Sequence, residues 1–530
     1  MQPAPGRNTA ALKASFAFLL LLLGVAGHGA MALAQSPGTF SATGHMITPR
    51  FLHTATLLLD GRVLIAGGDS SYSTANAESG AELYDPVTRT FVATGSMTTP
   101  RDSHTATLLP NGKVLIAGGG PRISGGGYSL ASAELYDPVT GTFSATGSMT
   151  VERSYHTATL LNNGKVLIAG GYRRVVGGSP SDVTFPTSAE LYDPSTGTFS
   201  ATGDMNEAFS DTATLLSNGK VLITRGIVWD PPNSSGDEKF LHHAELYDPS
   251  TGTFAFTGSL TTQHTAPAAT LLMNGKVLVA GGDIGDGDGA SISAELYDSA
   301  TGTFTATGNL TTGREQNATT LLPDGTVLFA GGHGGVPVPG GGYDNLASSE
   351  IYNPLSGAFS AVGPMLTGRD ILGATLLNNG QVLITGGNQY YPFGAGGRDP
   401  QHPVVAVAEL FTPAMLIPAP ALFSLGGDGR GQGAIWHATT GEIASLSSPA
   451  LAGEVLSMYT NSLADRSVIP PQVAIGGRLA EVLYYGAAPG YPGYYQVNFR
   501  VPDGVAPGPA VPVRLTYLGR SNNEVTIGVR

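Results

Sequence analysis

The sequence predicts an all-β fold in two parts, seven copies of a four-stranded unit followed by a second β region. Three observations lead there. An Asn-Gly or Asp-Gly dipeptide recurs seven times, at Asp60-Gly61, Asn111-Gly112, Asn163-Gly164, Asn218-Gly219, Asn274-Gly275, Asp324-Gly325 and Asn379-Gly380. This dipeptide tolerates the positive φ angles of a type I′ hairpin. A glycine pair closes the apolar strand that follows, as at Gly118-Gly119 and Gly170-Gly171, and decays to Arg225-Gly226 in the fourth copy. The motif AELYDP, or a close variant, comes next, at Ala81, Ala133, Ala189, Ala244, Ala294, Ser349 and Ala408. The copies recur about every 50 residues, the repeat length of propeller blades.

The second copy shows the elements in order. HTATLL is the first strand, and the Asn111-Gly112 turn follows it. KVLIAGG is apolar on both faces, as expected of a strand covered on both sides. After a variable loop, AELYDP is the third strand, and TFSATGSM, reached through a Thr-Gly turn, is the fourth. One such unit cannot bury both of its faces without like neighbours.

The order Arg-x-x-His, Asp/Asn-Gly, Val-Leu-Ile-Ala-Gly-Gly, Ala-Glu-Leu-Tyr-Asp-Pro, Thr-Phe resembles the kelch motif over about Gln35 to Pro413. Phe91, Phe143, Phe199, Phe254, Phe304 and Phe359 stand where that motif usually has Trp. The resemblance implies a seven-bladed β-propeller. Blades then start near Arg50, Arg101, Arg153, Ala208, His264, Arg314 and Arg369. Thr39 to Met46 matches only a fourth strand, and the seventh copy stops at AELFTP without one. The two fragments are complementary, so Thr39 to Met46 is expected as the outer strand of the last blade, removing two sheet edges.

Thr412 to Pro420 is Pro-rich and reads as a linker. Beyond it, Glu454–Thr460, Gln472–Ile475, Ala480–Tyr485, Tyr494–Val501, Val511–Tyr517 and Glu524–Val529 read as strands of an immunoglobulin-like β-sandwich over 421–530. The run from Pro471 to Gly508 is similar to a C-terminal domain of exported acidobacterial proteins.

Composition narrows the function. The net charge is −13 and no basic patch stands out, so nucleic acid is not expected as a partner. Arg7 and Lys13, the apolar run from Ala14 to Ala26 and the small-x-small site Ala32-Leu33-Ala34 read as a secretory signal over residues 1–34, with no stable transmembrane segment left after processing. A secreted, extracellular or periplasmic monomer of bacterial origin is expected. The chain has no Cys, which excludes thiolate metal sites and cysteine nucleophiles. Phosphate-loop, sialidase and nucleophile-elbow motifs are absent.

Three groups of residues could carry chemistry. Arg50/His53, Arg101/His104 and Arg153/His156 repeat at one place in adjacent blades. They could hold a metal or an anion, or they could bond neighbouring backbone and the Glu of AELYDP. Tyr155-His156 lies in SYHTATLLNNGKVLIAGG, which resembles the copper-ligand stretch of galactose oxidase and glyoxal oxidase. By that resemblance Tyr155 matches the axial Tyr and His156 one His ligand. The Cys that the family crosslinks to a second Tyr does not exist here, and His437 stands in no recognisable motif. Asp283, Asp286 and Asp288 lie among glycines, as in an oxygen-ligand Ca²⁺ site or a solvated turn. No cofactor is therefore expected, with Ca²⁺ or copper as the alternatives. Tyr484, Tyr485, Tyr491, Tyr494 and Tyr495 could form a sugar- or peptide-binding strip or pack the sheet.

The functional expectation follows from contrast among the copies. The Asn/Asp-Gly turns barely vary, whereas the loops between the second and third strands do. Variable loops on a repeated scaffold form the usual binding face. They carry Tyr72, Arg122, Tyr128, Tyr172, Arg173, Arg174, Trp229, Tyr343, Tyr390, Tyr391 and Arg398. Aromatic and Arg side chains dominate binding energy. The sequence therefore points to a non-catalytic module that binds an extracellular carbohydrate or protein on this face. The alternatives are a galactose oxidase-like enzyme with an altered or lost copper site, and a structural matrix component.

Overall fold

The computed structural model describes residues 38–530, apart from 72–76, 122–126, 176–182, 209–211, 225–226, 229–238, 241–242, 263, 285–288, 338–342, 390–403, 465–466 and 522. The expected signal segment lies outside the described residues. Every strand and turn described belongs to an all-β molecule, and no helix among the described residues is long and apolar enough to cross a membrane.

Seven four-stranded antiparallel sheets make the propeller. In the first, Thr54–Leu57, Val63–Ala66, Ala81–Asp85 and Thr90–Ala93 pair in chain order. The second strand of every blade is fully buried because neighbouring blades cover both of its faces. The core accordingly lies between blades. Leu64, Ala66 and Leu83 of the first blade pack against Val114, Ile116 and Tyr136 of the second. The last blade takes chain from both ends, with Thr39–His45 pairing antiparallel to Val407–Thr412 in the register Thr39 to Thr412 and Ala42 to Glu409.

The repeated residues have repeated structural uses. The Tyr of AELYDP bonds a Thr that directly follows the outer strand of the preceding blade, as in Thr94 Oγ1 to Tyr136 Oη at 2.9 Å and Thr146 Oγ1 to Tyr192 Oη at 2.9 Å. Thr43, on the N-terminal strand, makes the same bond to Tyr84 at 2.8 Å, so that strand also stitches the last blade to the first. Gly67 and Gly68 show why a pair is needed: both have positive φ, and added Cβ atoms would meet Arg101 O at 2.5 Å and Phe51 O at 2.6 Å.

At the C-terminus, seven strands form one sheet in the order Ile435–His437, Val455–Thr460, Tyr495–Arg500, Arg478–Ala487, Gln472–Ile475, Gly508–Thr516, Glu524–Val529. The long Arg478–Ala487 strand joins the two halves, with a bulge between Val482 and Tyr484. The sheet rolls up around Leu456, Met458, Val497, Phe499, Val513 and Ile527. Parallel bridges Gln432–Thr526 and Ala450–Val529 nearly close it into a barrel.

This rolled sheet sits on the Asn/Asp-Gly turns of the propeller. The Val468 N–H donates to Met273 O at 2.8 Å, the Asn378 side-chain amide donates to Ser521 O at 2.8 Å, and Leu518 packs into the core between the sixth and seventh blades. The segment read as a linker is itself held, since Arg520 donates to Ile417 O at 2.8 Å and the Ala419 N–H to Asn378 O at 2.7 Å.

Candidate functional site

The blade-start arginines are structural. Arg101 is fully buried, donates to Gly118 O and Ser132 O, and pairs with Glu134 at 2.9 Å. Arg50–Glu82, Arg153–Glu190, Arg314–Glu350 and Arg369–Glu409 repeat the pair. In the fifth blade His264 takes the arginine's place beside Glu295, and in the fourth Asn206 bonds Glu245. Each Glu also accepts backbone N–H groups of the chain leading into its blade, as from Thr98 to Glu134 at 2.9 Å. A buried carboxylate so committed has little left for a ligand.

The histidines are committed as well. His53, His104 and His156 each bond a Thr of the preceding blade: Thr385, Thr54 and Thr105, at 3.0, 3.0 and 2.9 Å. Burial, reinforced by the adjacent Arg50, Arg101 and Arg153, lowers all three to about 3, so they are neutral near pH 7.

The blade starts carry a ring built from two backbone devices, most of whose ribbon residues are buried, while Tyr155, Ala266 and Gln316 are exposed. Among the described residues, the residue before the histidine position has a left-handed conformation, at Leu52, Ser103, Tyr155, Ala266, Gln316 and Ile371, with φ between 48° and 55°. These residues link blade to blade, the Ser103 N–H to Leu52 O at 3.3 Å, the Tyr155 N–H to Ser103 O and the Ile371 N–H to Gln316 O, both at 3.0 Å. The second device is a two-residue ribbon between the chain after the blade start and the residue after the glycine pair. Phe51–Asp69, Asp102–Gly120, Ser154–Tyr172, Thr265–Asp283, Glu315–His333 and Asp370–Asn388 are the described examples. Their side chains differ from blade to blade, although most of them are buried.

Two places on the ring are chemically distinct. Tyr155 is 41% exposed, and its ring stacks on Tyr172 with centroids 5.5 Å apart. Around this pair, Arg173 donates to Glu152 at 2.7 Å, and Ser129 of the second-blade loop bonds the backbone of Arg174. Tyr128 stands half-buried beside Ser129. At the junction of the sixth and seventh blades, His333 lies between Glu315 and Asp370, with Nδ1 3.2 Å from Asp370 Oδ2. Burial opposes its charge, but the bonds to Asp370 and Glu315 outweigh that, and its pKa is pushed up to about 9.

Of the residues singled out in the sequence, the structure thus brings together Tyr128, Tyr172 and Arg173. The backbone of Tyr343 pairs in the sixth-blade ribbon opposite Pro337. Tyr72, Arg122, Trp229, Tyr390, Tyr391, Arg398, Asp286 and Asp288 lie outside the described residues. Asp283 is half-buried in the fifth-blade ribbon. Tyr155 and His156, adjacent in sequence, face different surroundings: the tyrosine is exposed, while the imidazole is buried and bonded to Thr105. Among the described residues no three His, Asp or Glu side chains are arranged to hold a metal ion. The ribbon partners Glu315, His333 and Asp370 were missed by sequence reasoning, although the positions after the Arg and after the glycine pair could have marked them.

No family model matches the chain. It is 30% identical over 133 residues to spermatocyte protein spe-26 of Caenorhabditis elegans, an alignment that spans 24% of this chain and 22% of that protein. Its fold is similar to that of a solved structure described as a novel fungal alcohol oxidase with catalytic diversity among the AA5 family, in complex with copper; the TM-score is 0.58 at 15% identity, covering 93% of this chain and 100% of that one. The residues present here do not fit a crosslinked Tyr–Cys copper centre, because the chain has no Cys and His156 is tied to Thr105. At that identity the likeness shows the propeller fold, related to that of galactose oxidase-like enzymes, and nothing of the chemistry.

Proposed function

We propose that the chain is an exported kelch-type propeller that binds a carbohydrate or protein ligand on its loop face, as a monomer and without catalysis. The observation that carries this reading is the Tyr155–Tyr172 stack, a partly exposed aromatic pair at the rim of the ring of left-handed residues. The contacts of the rolled sheet with the propeller run through the Asn/Asp-Gly turns, on the side away from this pair. Repeated polar groups of the blades are spent on one another and most ribbon side chains are buried, so what varies and reaches the surface is Tyr155 and the loop side chains around it. Aromatic side chains held in place by stacking lose little freedom on binding and bury large area.

The test is a screen of the full chain on glycan and protein arrays, followed by titration of the strongest hit. Tyr155→Ala and Tyr172→Ala should each weaken that hit by roughly 1–3 kcal/mol and leave the melting temperature nearly unchanged. Unchanged affinity in both variants would remove the loop face as the binding surface. Stoichiometric copper in the purified protein would favour an enzyme instead.

A further inference from the structure

The outer face of the rolled C-terminal sheet presents a row of aromatic and amide side chains. Along Val455–Thr460, side chains alternate, with Leu456, Met458 and Thr460 buried inside and Val455, Ser457 and Tyr459 turned out. The neighbouring strands continue this in register. Trp436 lies opposite Ser457, Ser457 opposite Asn498, and Asn498 opposite Tyr484. One row therefore runs Trp436, Ser457, Asn498, Tyr484 across four strands, about 14 Å at the usual strand spacing. The next row runs Tyr459, Gln496, Gly486.

The polar centre of these rows is a closed network. Ser457 Oγ donates to Asn498 Oδ1 at 2.7 Å, and Gln496 Nε2 donates to Ser457 Oγ at 3.1 Å and to Asn498 Oδ1 at 2.9 Å. These bonds fix the orientation of both amides and leave the Asn498 N–H groups and the Gln496 carbonyl oxygen to address a ligand. Aromatic rings flank the network. Trp436 packs edge-on to Tyr459 at 5.6 Å, and Tyr459 to Tyr491 at 6.1 Å. Tyr491 is 61% and Tyr484 44% exposed. At Gly486 a side chain would collide with the Tyr484 hydroxyl, at 2.9 Å from an added Cβ, so the glycine keeps that ring's place open.

The charge pattern selects the ligand class. Neither row contains an ionisable acid or base other than tyrosine. The charged pair Arg500–Glu481, at 2.9 Å, forms the next row on this face, beside a cavity that is also lined by Asn162 and Ser217 of the propeller. Flat aromatic rings beside preorganised amide donors and acceptors, with the one charged row beside them internally paired, suit a ligand with alternating apolar ring faces and hydroxyl edges. An acidic peptide or nucleic acid would want cations here, and an aliphatic helix would want a groove without exposed amides.

We propose that this face binds a neutral polysaccharide chain, stacking sugar rings on Trp436 and Tyr484 and hydrogen-bonding hydroxyls with Gln496 and Asn498. This site is separate from the loop face and does not depend on it.

The test uses the full chain on affinity gels containing amylose, xylan, dextran or soluble cellulose derivatives. Retention by at least one neutral polysaccharide is expected, reduced tenfold or more in Trp436→Ala and in Tyr484→Ala but unchanged in Tyr155→Ala. Because Trp436 is half-buried, Tyr484→Ala and Asn498→Ala, checked by unchanged melting, keep the test sound if Trp436→Ala misfolds. In a Trp229→Phe background Trp436 is the only tryptophan, so its fluorescence should shift as oligosaccharide of the retaining type is added. No retention on any gel, or retention that survives Tyr484→Ala and Asn498→Ala, would overturn the proposal. Retention lost only in Tyr155→Ala would overturn it too, while supporting the loop face.

Discussion

At the scale of single residues, the ionisable groups divide into those that hold blades together and those in the ribbons of the loop face. His53, His104 and His156 are held near a pKa of 3 by burial and neighbouring arginines. In the unfolded chain they take up protons near pH 6.5. The unfolded state thus binds more protons over that window, so stability falls as pH drops from about 6.5 toward 3, by up to about 1.4 kcal/mol per pH unit for each imidazole. Denaturant melts of the wild type and of His104→Asn across this range should show a shallower acid slope in the variant. Equal slopes would mean that the imidazole is not neutral and buried. His333 has the opposite sign. Its raised pKa means that its contribution is complete below about 6.5 and is lost as pH rises through about 9. Replacing it in His333→Gln should flatten the alkaline limb of the stability curve, and an unaltered limb would show that Glu315 and Asp370 do not hold its charge. Arg101 gives a third case. Arg101→Met leaves Glu134 buried without its partner and should cost about 3–5 kcal/mol in urea unfolding. Arg101→Met with Glu134→Leu should cost less than Arg101→Met alone.

At the scale of elements, the sequence made the blades legible because the turns bounding the second strand need positive φ, which glycine accepts readily and most other residues do not. Glycine pairs and Asn/Asp-Gly turns mark where φ turns positive, and Gly67, Gly68 and Gly112 show it. The incomplete repeats at the two ends were likewise readable as complementary fragments, and Thr39–His45 does pair with Val407–Thr412. Deleting residues 35–46 should expose the edge of that strand and lose the Thr43–Tyr84 bond. A stability loss of several kcal/mol is expected, comparable to removing a few buried side chains, and a truncated protein that melts like the intact one would contradict the closure. In the C-terminal region, strands with clear alternation such as Gln472–Ile475 and Glu524–Val529 were read directly, whereas Ile435–His437, only three residues long, was not. Tyr484 and Tyr491 attracted attention in the sequence, but the row that joins Tyr484 to Trp436 depends on the register of four strands far apart in the chain. No local pattern encodes that register. The ribbons escaped for a different reason: Glu315 and His333 stand at positions that the blade-start Arg and the glycine pair mark, but their residue types change from blade to blade, so no recurring letter drew attention to them.

At the scale of the whole molecule, the two faces of the propeller have different work. The uniform turn face receives the rolled C-terminal sheet through Met273, Asn378 and Leu518. The opposite face gathers the ribbons whose side chains change from blade to blade. This division explains why one set of turns is nearly invariant along the sequence while the other set of loops drifts in length and content. It also makes the central claim a claim about location, which amide hydrogen exchange reads directly. With the strongest array hit bound to the full chain, protection should rise at Ser154, Tyr155 and Tyr172 and in neighbouring loop-face segments, and stay unchanged in the turns around Asn111-Gly112, Asn163-Gly164 and Asn274-Gly275. Protection confined to those turns, or its absence from the loop face with ligand saturating, would contradict the account.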